Sequence, residues 1–199
     1  MDYPDLNGKS RDDVVALLDE WITSASLKRH CLAVETAMRA YADNFGENVD
    51  AWGMVGLIHD FDYERHPSAD QHPVEGARVL TSDGYPEWLI DAVLSHADYL
   101  DVPRDTRLKQ ALYAVDELSG FVAAVALVRP SRRVADVKVS SVKKKLKDRR
   151  FAEAIDRSAI VEGAEALEVE LDQHIEMVIQ ALVGNAAALG LEGSDDSET

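Results

Sequence analysis

Along most of this chain the apolar residues recur at steps of three and four, and no run of alternating β-branched and polar residues lasts long enough to compete. An α-helix repeats every 3.6 residues and a strand every two, so this periodicity points to an all-α fold. Ser10 is a natural N-cap for a first helix whose face carries Val14, Leu17, Leu18, Trp21 and Ile22. A second helix is expected from Ser24 or Ser26 to Asn44, striped by Leu27, Cys31, Val34, Met38 and Tyr41, with Gly46 as its stop and His30 beside the stripe. A third starts near Val49 and runs through Trp52, Val55, Leu57 and Ile58 into the pair His59-Asp60, where a polar loop begins. Helical texture resumes at Pro73 and again at Pro86, where Trp88, Leu89, Ala92, Val93 and His96 share a face. A long helix over 106–128, interrupted at Gly120, and further helices over 140–146, 150–156 and 158–184 complete the pattern.

The 199 residues, 46% hydrophobic, fit one globular domain with a sizeable core. No linker or fixed-period repeat divides them, so residues 1–190 are expected to form a single helical domain and 191–199 a frayed acidic tail. The lone Cys31 excludes an intramolecular disulfide framework and a thiolate metal cluster. The N-terminus shows no basic start followed by an apolar stretch, and the longest apolar run, 121–128, falls short of the roughly 20 residues a membrane helix needs. A cytoplasmic protein with no membrane partner is the expectation. The 21 basic residues against 37 acidic ones give −16, which disfavours general binding to nucleic acid. That average hides an island: residues 129–150 hold ten basic and two acidic side chains, +8, leaving −24 over the rest.

Four histidines lie at helix ends or beside apolar faces: His30, His59, His72 and His96. A lone histidine beside an apolar stripe is more often a hydrogen-bonded core residue than a ligand. The argument therefore rests on the set. Neutral imidazoles suit divalent transition metals, and a carboxylate such as Asp60 or Asp116 adds charge and can bridge two ions. His59-Asp60 directly follows the apolar segment WGMVGLI, where buried polar groups need partners and a metal is one. Without cysteine a closed structural zinc site is disfavoured, which leaves a hydrolytic site.

The order His30, His59-Asp60, His72, His96, Asp116 resembles that of the HD superfamily of metal-dependent phosphohydrolases, whose core motif is H…HD…D on an all-helical fold. The likeness covers residues 30–116. It implies a single-domain HD-type helical bundle with a motif core over about 24–128 and a C-terminal helical extension over about 129–190. By position, His30, His59, Asp60 and Asp116 would hold one ion, while Asp60 would bridge to a second held by His72, which opens HPVEGARVL, and by His96. The implied cofactor is one or two divalent ions among Mn, Fe, Co, Ni and Zn, two being the expectation. The strings IHDFDYERHP and ALYAVDELSGFVAAVALVRPSRRVADVKVSSVKKKLKD are similar to those of a stand-alone subgroup of predicted HD hydrolases. Gly84-Tyr85-Pro86 lacks the surroundings of the cyclic-dinucleotide phosphodiesterase signature, and Asp62 and Glu64 are out of register with the HD-x-x-E-D of alarmone hydrolases.

The implied reaction is attack of metal-activated water on the phosphate ester of a small metabolite, a nucleotide first, by a phosphomonoesterase or phosphodiesterase. Asp60 would be central to it, and Asp62, Glu64 or His66 would handle the leaving-group proton. Arg129, Arg133 and Lys138 are the nearest cations in sequence for substrate phosphate, whereas the lysines over 143–147 read as a solvated face. The alternative is a degenerate HD domain that binds a nucleotide or protein partner without turnover. The island lacks interleaved aromatic residues, so a nucleic-acid polymer is not expected as partner. Self-association stays open, with 171–191 as a possible homodimer face.

Overall fold

The computed structural model describes residues 6–193, and the described residues form helices and turns with no strand beyond an isolated bridge between Arg133 and Glu192. The fold is all-α. The expected frayed tail lies largely outside the described residues. The chain divides into two compact units at Tyr113 and Ala114. That division falls inside a helix, upstream of the 128 expected to end the motif core.

The first unit holds α1 (Arg11–Trp21), α2 (Ala25–Phe45), α3 (Val49–Ile58), α4 (Val74–Ser82) and α5 (Glu87–Leu94), followed by a 3₁₀ turn at Asp98–Leu100 and the start of α6 (Arg107–Leu127). Local chemistry sets their ends. Ser10 and Asp13 form a reciprocal capping box, and Ser24 and Asn48 cap α2 and α3 through their side chains. Gly46 ends α2 at φ 68°, a left-handed conformation that costs glycine nothing. Pro73 and Pro86 stand one place before α4 and α5, as N-caps.

α3 is the central element, packed by α1, α2 and α5. It is apolar on all sides and buried from Ala51 through Ile58. A Cβ added at Gly56 would sit 2.9 Å from Met38 Cγ and 3.0 Å from the Glu35 Cα, so glycine lets α3 approach the α2 backbone. Glu35, itself buried, accepts a bidentate pair from Arg11 at 2.7 and 2.8 Å and a third bond from Arg39 at 2.9 Å, tying α1 to α2. The helix that ends in His59-Asp60 is thus buried among neighbours that are themselves tied together.

The second unit contains the rest of α6, a 3₁₀ turn at Val134–Asp136, α7 (Val139–Leu146), α8 (Arg157–Ala166), α9 (Leu171–Gly184) and the short α10 (Ala186–Leu189). α9 packs on α7, α8 and α10. A Cβ at Gly163 would lie 2.5 Å from the Ala114 Cα, and buried His174 bonds the Ala114 carbonyl through Nε2 at 2.9 Å. Burial, only partly offset by that bond, pushes the His174 imidazole down to about 4.

Three expectations are corrected. α6 runs unbroken through Gly120, whose cost in a helix interior is about 1 kcal/mol and is outweighed by burial of Leu118, Phe121 and Val122 around it. By length and composition α6 matches a membrane span, but 61% of its most apolar window is buried, as in a core helix. Residues 150–156 are turns, because the Arg157 guanidinium takes the carbonyls of Asp148, Phe151 and Ile155. The 158–184 stretch is two helices, reversed at Glu168 with φ 57°. A left-handed non-glycine residue costs about 1–2 kcal/mol, and folding α9 back onto α8 to bury Ile160, Ile175 and Val178 more than offsets it.

Candidate metal centre

Four histidines of the first unit converge on one carboxylate. α3 ends in His59, which is fully buried, and the next residue, Asp60, lies in the following turn. His30 comes from α2, His72 precedes α4, and His96 follows α5. Asp60 faces them two by two: its Oδ2 is 3.6 Å from His30 Nε2 and 3.5 Å from His59 Nε2, while its Oδ1 is 3.3 Å from His72 Nε2 and 3.4 Å from His96 Nε2. The donor atoms of Asp60, His72 and His96 all lie within 4.8 Å of one another.

The other ring nitrogens decide what this means. His59 Nδ1 lies 2.8 Å from the Gly56 carbonyl, His96 Nδ1 2.5 Å from the Val93 carbonyl, and His72 Nδ1 2.8 Å from Asp62 Oδ1. Each partner is an acceptor, so each imidazole carries its proton on Nδ1 and turns an Nε2 lone pair inward. The Nε2 atoms of His72 and His96 are then 3.1 Å apart, lone pair to lone pair, against an Asp60 oxygen. Between neutral imidazoles such acceptors repel, so the position takes positive charge, a proton in the metal-free protein or a cation in its place. A divalent ion fits, since nitrogen and carboxylate donors without thiolate suit first-row metals and Nδ1–H bonded to an oxygen is how metal-ligating histidines are held. The same crowding shows in the titrations. Burial would raise Asp60, but His59, His72 and His96 together hold its carboxyl well below the ordinary range. Burial would lower His72, yet Asp60 and Asp62 push it up to about 9.

A family model of the HD domain matches residues 27–120, a segment that contains His30, His59, Asp60, His72, His96 and Asp116. Residues 27–120 form an HD domain. Neither the curated proteins nor the solved structures contain a match to it. HD domains are typically metal-dependent hydrolases that bind divalent ions, and the histidines and Asp60 form a donor group able to hold one.

Around the HD residues runs a supporting layer that sequence spacing did not reveal. Asp62, expected among the proton-handling groups, is fully buried, with one oxygen on His72 and the other accepting the Gly76 N–H at 2.9 Å. A Cβ at Gly76 would meet the Asp62 carboxylate at 2.7 Å, so α4 supplies a glycine where that carboxylate lies against its first turn. Tyr99 donates its hydroxyl to the His72 carbonyl at 2.6 Å, and the Tyr63 ring meets the His72 ring at right angles. Burial first, then Asp60, Asp62 and Tyr63, push the Tyr99 phenol up. Arg104 binds the Ser95 carbonyl at 2.8 Å and Asp98 at 2.6 Å, clamping the loop that carries His96 and Tyr99. The available sequence signal was the density of polar residues in FDYERHP.

Glu64 and His66, the other candidates for the leaving-group proton, make contacts of their own. Glu64 caps the start of α2, accepting from the Thr23 hydroxyl and the Thr23 and Ser24 N–H groups, and these bonds hold its carboxyl below its ordinary value. A Glu64 so depressed is a poor proton donor at neutral pH, and the hydrogen bonds of Asp62 to His72 and Gly76 make it a supporting residue. His66 lies against the Trp21 ring. Asp116 is half-buried on α6. In the second unit Arg129 follows α6, Arg133 is exposed with its backbone bridged to Glu192, and exposed Lys138 precedes α7.

Proposed function

We propose that this HD domain is a metal-dependent phosphohydrolase acting on a phosphate ester of a small metabolite, a nucleotide first, with Asp60 bridging two ion positions. The carrying observation is the division of the Asp60 carboxylate, one oxygen toward His30 and His59 and the other toward His72 and His96. On this reading His72, His96 and Asp60 would hold one ion, and His30, His59 and Asp60, with Asp116 carried over from the motif order, would hold the other.

Bound there, a divalent ion supplies the Lewis acidity that makes water nucleophilic near neutral pH and neutralises phosphoryl charge. The chain does the rest. Asp62 fixes the His72 tautomer, the Gly56 and Val93 carbonyls fix those of His59 and His96, and burial of His59 and His72 keeps bulk water from competing. Hydrolysis joins the water oxygen to phosphorus, breaks the ester P–O bond and delivers a proton to the leaving oxygen. Arg129, Arg133 and Lys138 stay as candidates for substrate phosphate on charge alone, and a cytoplasmic location accompanies the reading.

The test is a phosphate-release screen over nucleotides and sugar phosphates with Mn²⁺, Fe²⁺, Co²⁺ or Ni²⁺ added. Turnover that stops with chelator and returns with metal supports the reading. A protein that holds metal yet turns over nothing favours the non-catalytic binding domain.

A further inference from the structure

Among the described residues of the first unit, two large hydrophobic side chains remain substantially exposed, Tyr63 at 45% and Tyr99 at 50%. Both touch His72. Tyr63 meets the His72 ring with centroids 5.1 Å apart, and Tyr99 bonds the His72 carbonyl. They reach it from separate places in the chain, Tyr63 from the turn that begins at Asp60 and Tyr99 from the 3₁₀ turn after α5.

Their exposure is a held state. The Tyr63 N–H donates to the Asp60 carbonyl at 3.1 Å, which anchors that ring three residues from the carboxylate at the centre of the cluster. The Tyr99 hydroxyl bond fixes the second ring, and Arg104 pins the neighbouring Asp98. Two rigid aromatic surfaces kept in water beside the Asp60 cluster lose apolar burial unless something covers them, and rings already in position lose little entropy when they are covered.

We propose that Tyr63 and Tyr99 form a platform for the planar aromatic group of the substrate, making the preferred ester that of a nucleoside rather than of a sugar or polyol. This rests on the phosphohydrolase reading for the position of the phosphate. With phosphate at the Asp60 cluster, the group esterified to it lies beside His72, where both rings are. Their π faces take a base of any kind, so the platform selects for an aromatic group and not for one base over another.

The experiment compares a nucleoside 5′-monophosphate with ribose 5-phosphate, which carries the same ester without the base. It reads the ratio of their kcat/KM values in the wild type, Tyr63→Ala, Tyr63→Phe, Tyr99→Leu and Tyr99→Phe, with metal content measured for each. Stacking of one base on one ring sets a change of roughly tenfold. The wild-type ratio should favour the nucleotide at least tenfold, fall about tenfold in Tyr63→Ala and in Tyr99→Leu, and persist in both phenylalanine variants. Persistence in Tyr99→Phe separates a stacking surface from a residue that merely holds His72. A second arm measures, by calorimetry, binding of a nucleoside 5′-phosphonate, whose P–C bond is not hydrolysed, against ribose 5-phosphonate. Loss of nucleoside preference in the alanine and leucine variants there supports the platform even if turnover is absent. A wild-type protein that treats the paired compounds alike in both arms, or variants that keep the full preference, overturns it. Turnover of both esters without preference refutes the platform alone and leaves the phosphohydrolase standing.

Discussion

Replacing Asp62 by Asn keeps the size and shape of the side chain and removes one acceptor. In the protein the carboxylate receives two donors, the His72 Nδ1–H at 2.8 Å and the Gly76 N–H at 2.9 Å. An amide offers one oxygen and one NH₂, so one of these contacts turns donor to donor. If the oxygen stays on Gly76, His72 relieves the clash by moving its proton to Nε2, aimed at Asp60 and at the position an ion needs. If the oxygen stays on His72, the Gly76 N–H loses its partner in a buried place, at about 1–3 kcal/mol. Changes of this kind behind a metal-ligating histidine cost roughly 10–100-fold in affinity. The assay is titration of metal-free Asp62→Asn with Mn²⁺ or Ni²⁺ by calorimetry, with helicity checked by circular dichroism. Affinity within twofold of wild type in a folded variant would refute the argument that Asp62 sets the His72 tautomer.

Gly76→Ala should act on the same contact from the other side, because its Cβ would meet the Asp62 carboxylate at 2.7 Å; a metal titration should show weaker binding, and unchanged affinity would mean that α4 shifts to make room. His174 supplies a pH dependence: its folded pKa of about 4 lies below the ordinary 6.5, so its neutral form stabilises the fold above 6.5 and that contribution drains away as pH falls through this window toward 4. Urea midpoints should report about 2 kcal/mol lost from this group between pH 7 and 5, a slope absent in His174→Gln. Glu35→Gln should cost about 1–3 kcal/mol in urea melts, the lower half applying because its partner Arg11 is 44% exposed and can turn to water.

What could be read from the chain alone was whatever local chemistry decides. Ser10, Ser24 and Gly46 mark helix ends by their own side chains or conformational freedom, and the period of Val14 to Ile22 or of Leu27 to Tyr41 shows which face is buried. The order of His30, His59-Asp60, His72 and His96 pointed to the HD domain of residues 27–120 because motif order survives without coordinates. What stayed hidden depends on partners distant in sequence. The reversal at Glu168 carries no glycine or proline and exists because α8 and α9 bury one another, and the 150–156 turn exists because Arg157 reaches back over it. Asp62 read as a loop acid able to handle the leaving-group proton, but its burial and its Gly76 partner, fourteen positions on, make it a support for His72. The exposure of Tyr63 and Tyr99 likewise appears only when the turn and the loop come together at His72.

The central claim is that the imidazoles around Asp60 hold a divalent ion. Metal content per chain, measured on protein purified without chelator for the wild type and for Asp60→Ala, tests it most directly. One to two equivalents in the wild type and loss of the metal in a folded Asp60→Ala variant is the predicted result. A wild type free of metal after incubation with Mn²⁺, Co²⁺ and Ni²⁺, or a variant that retains the full content, would contradict it.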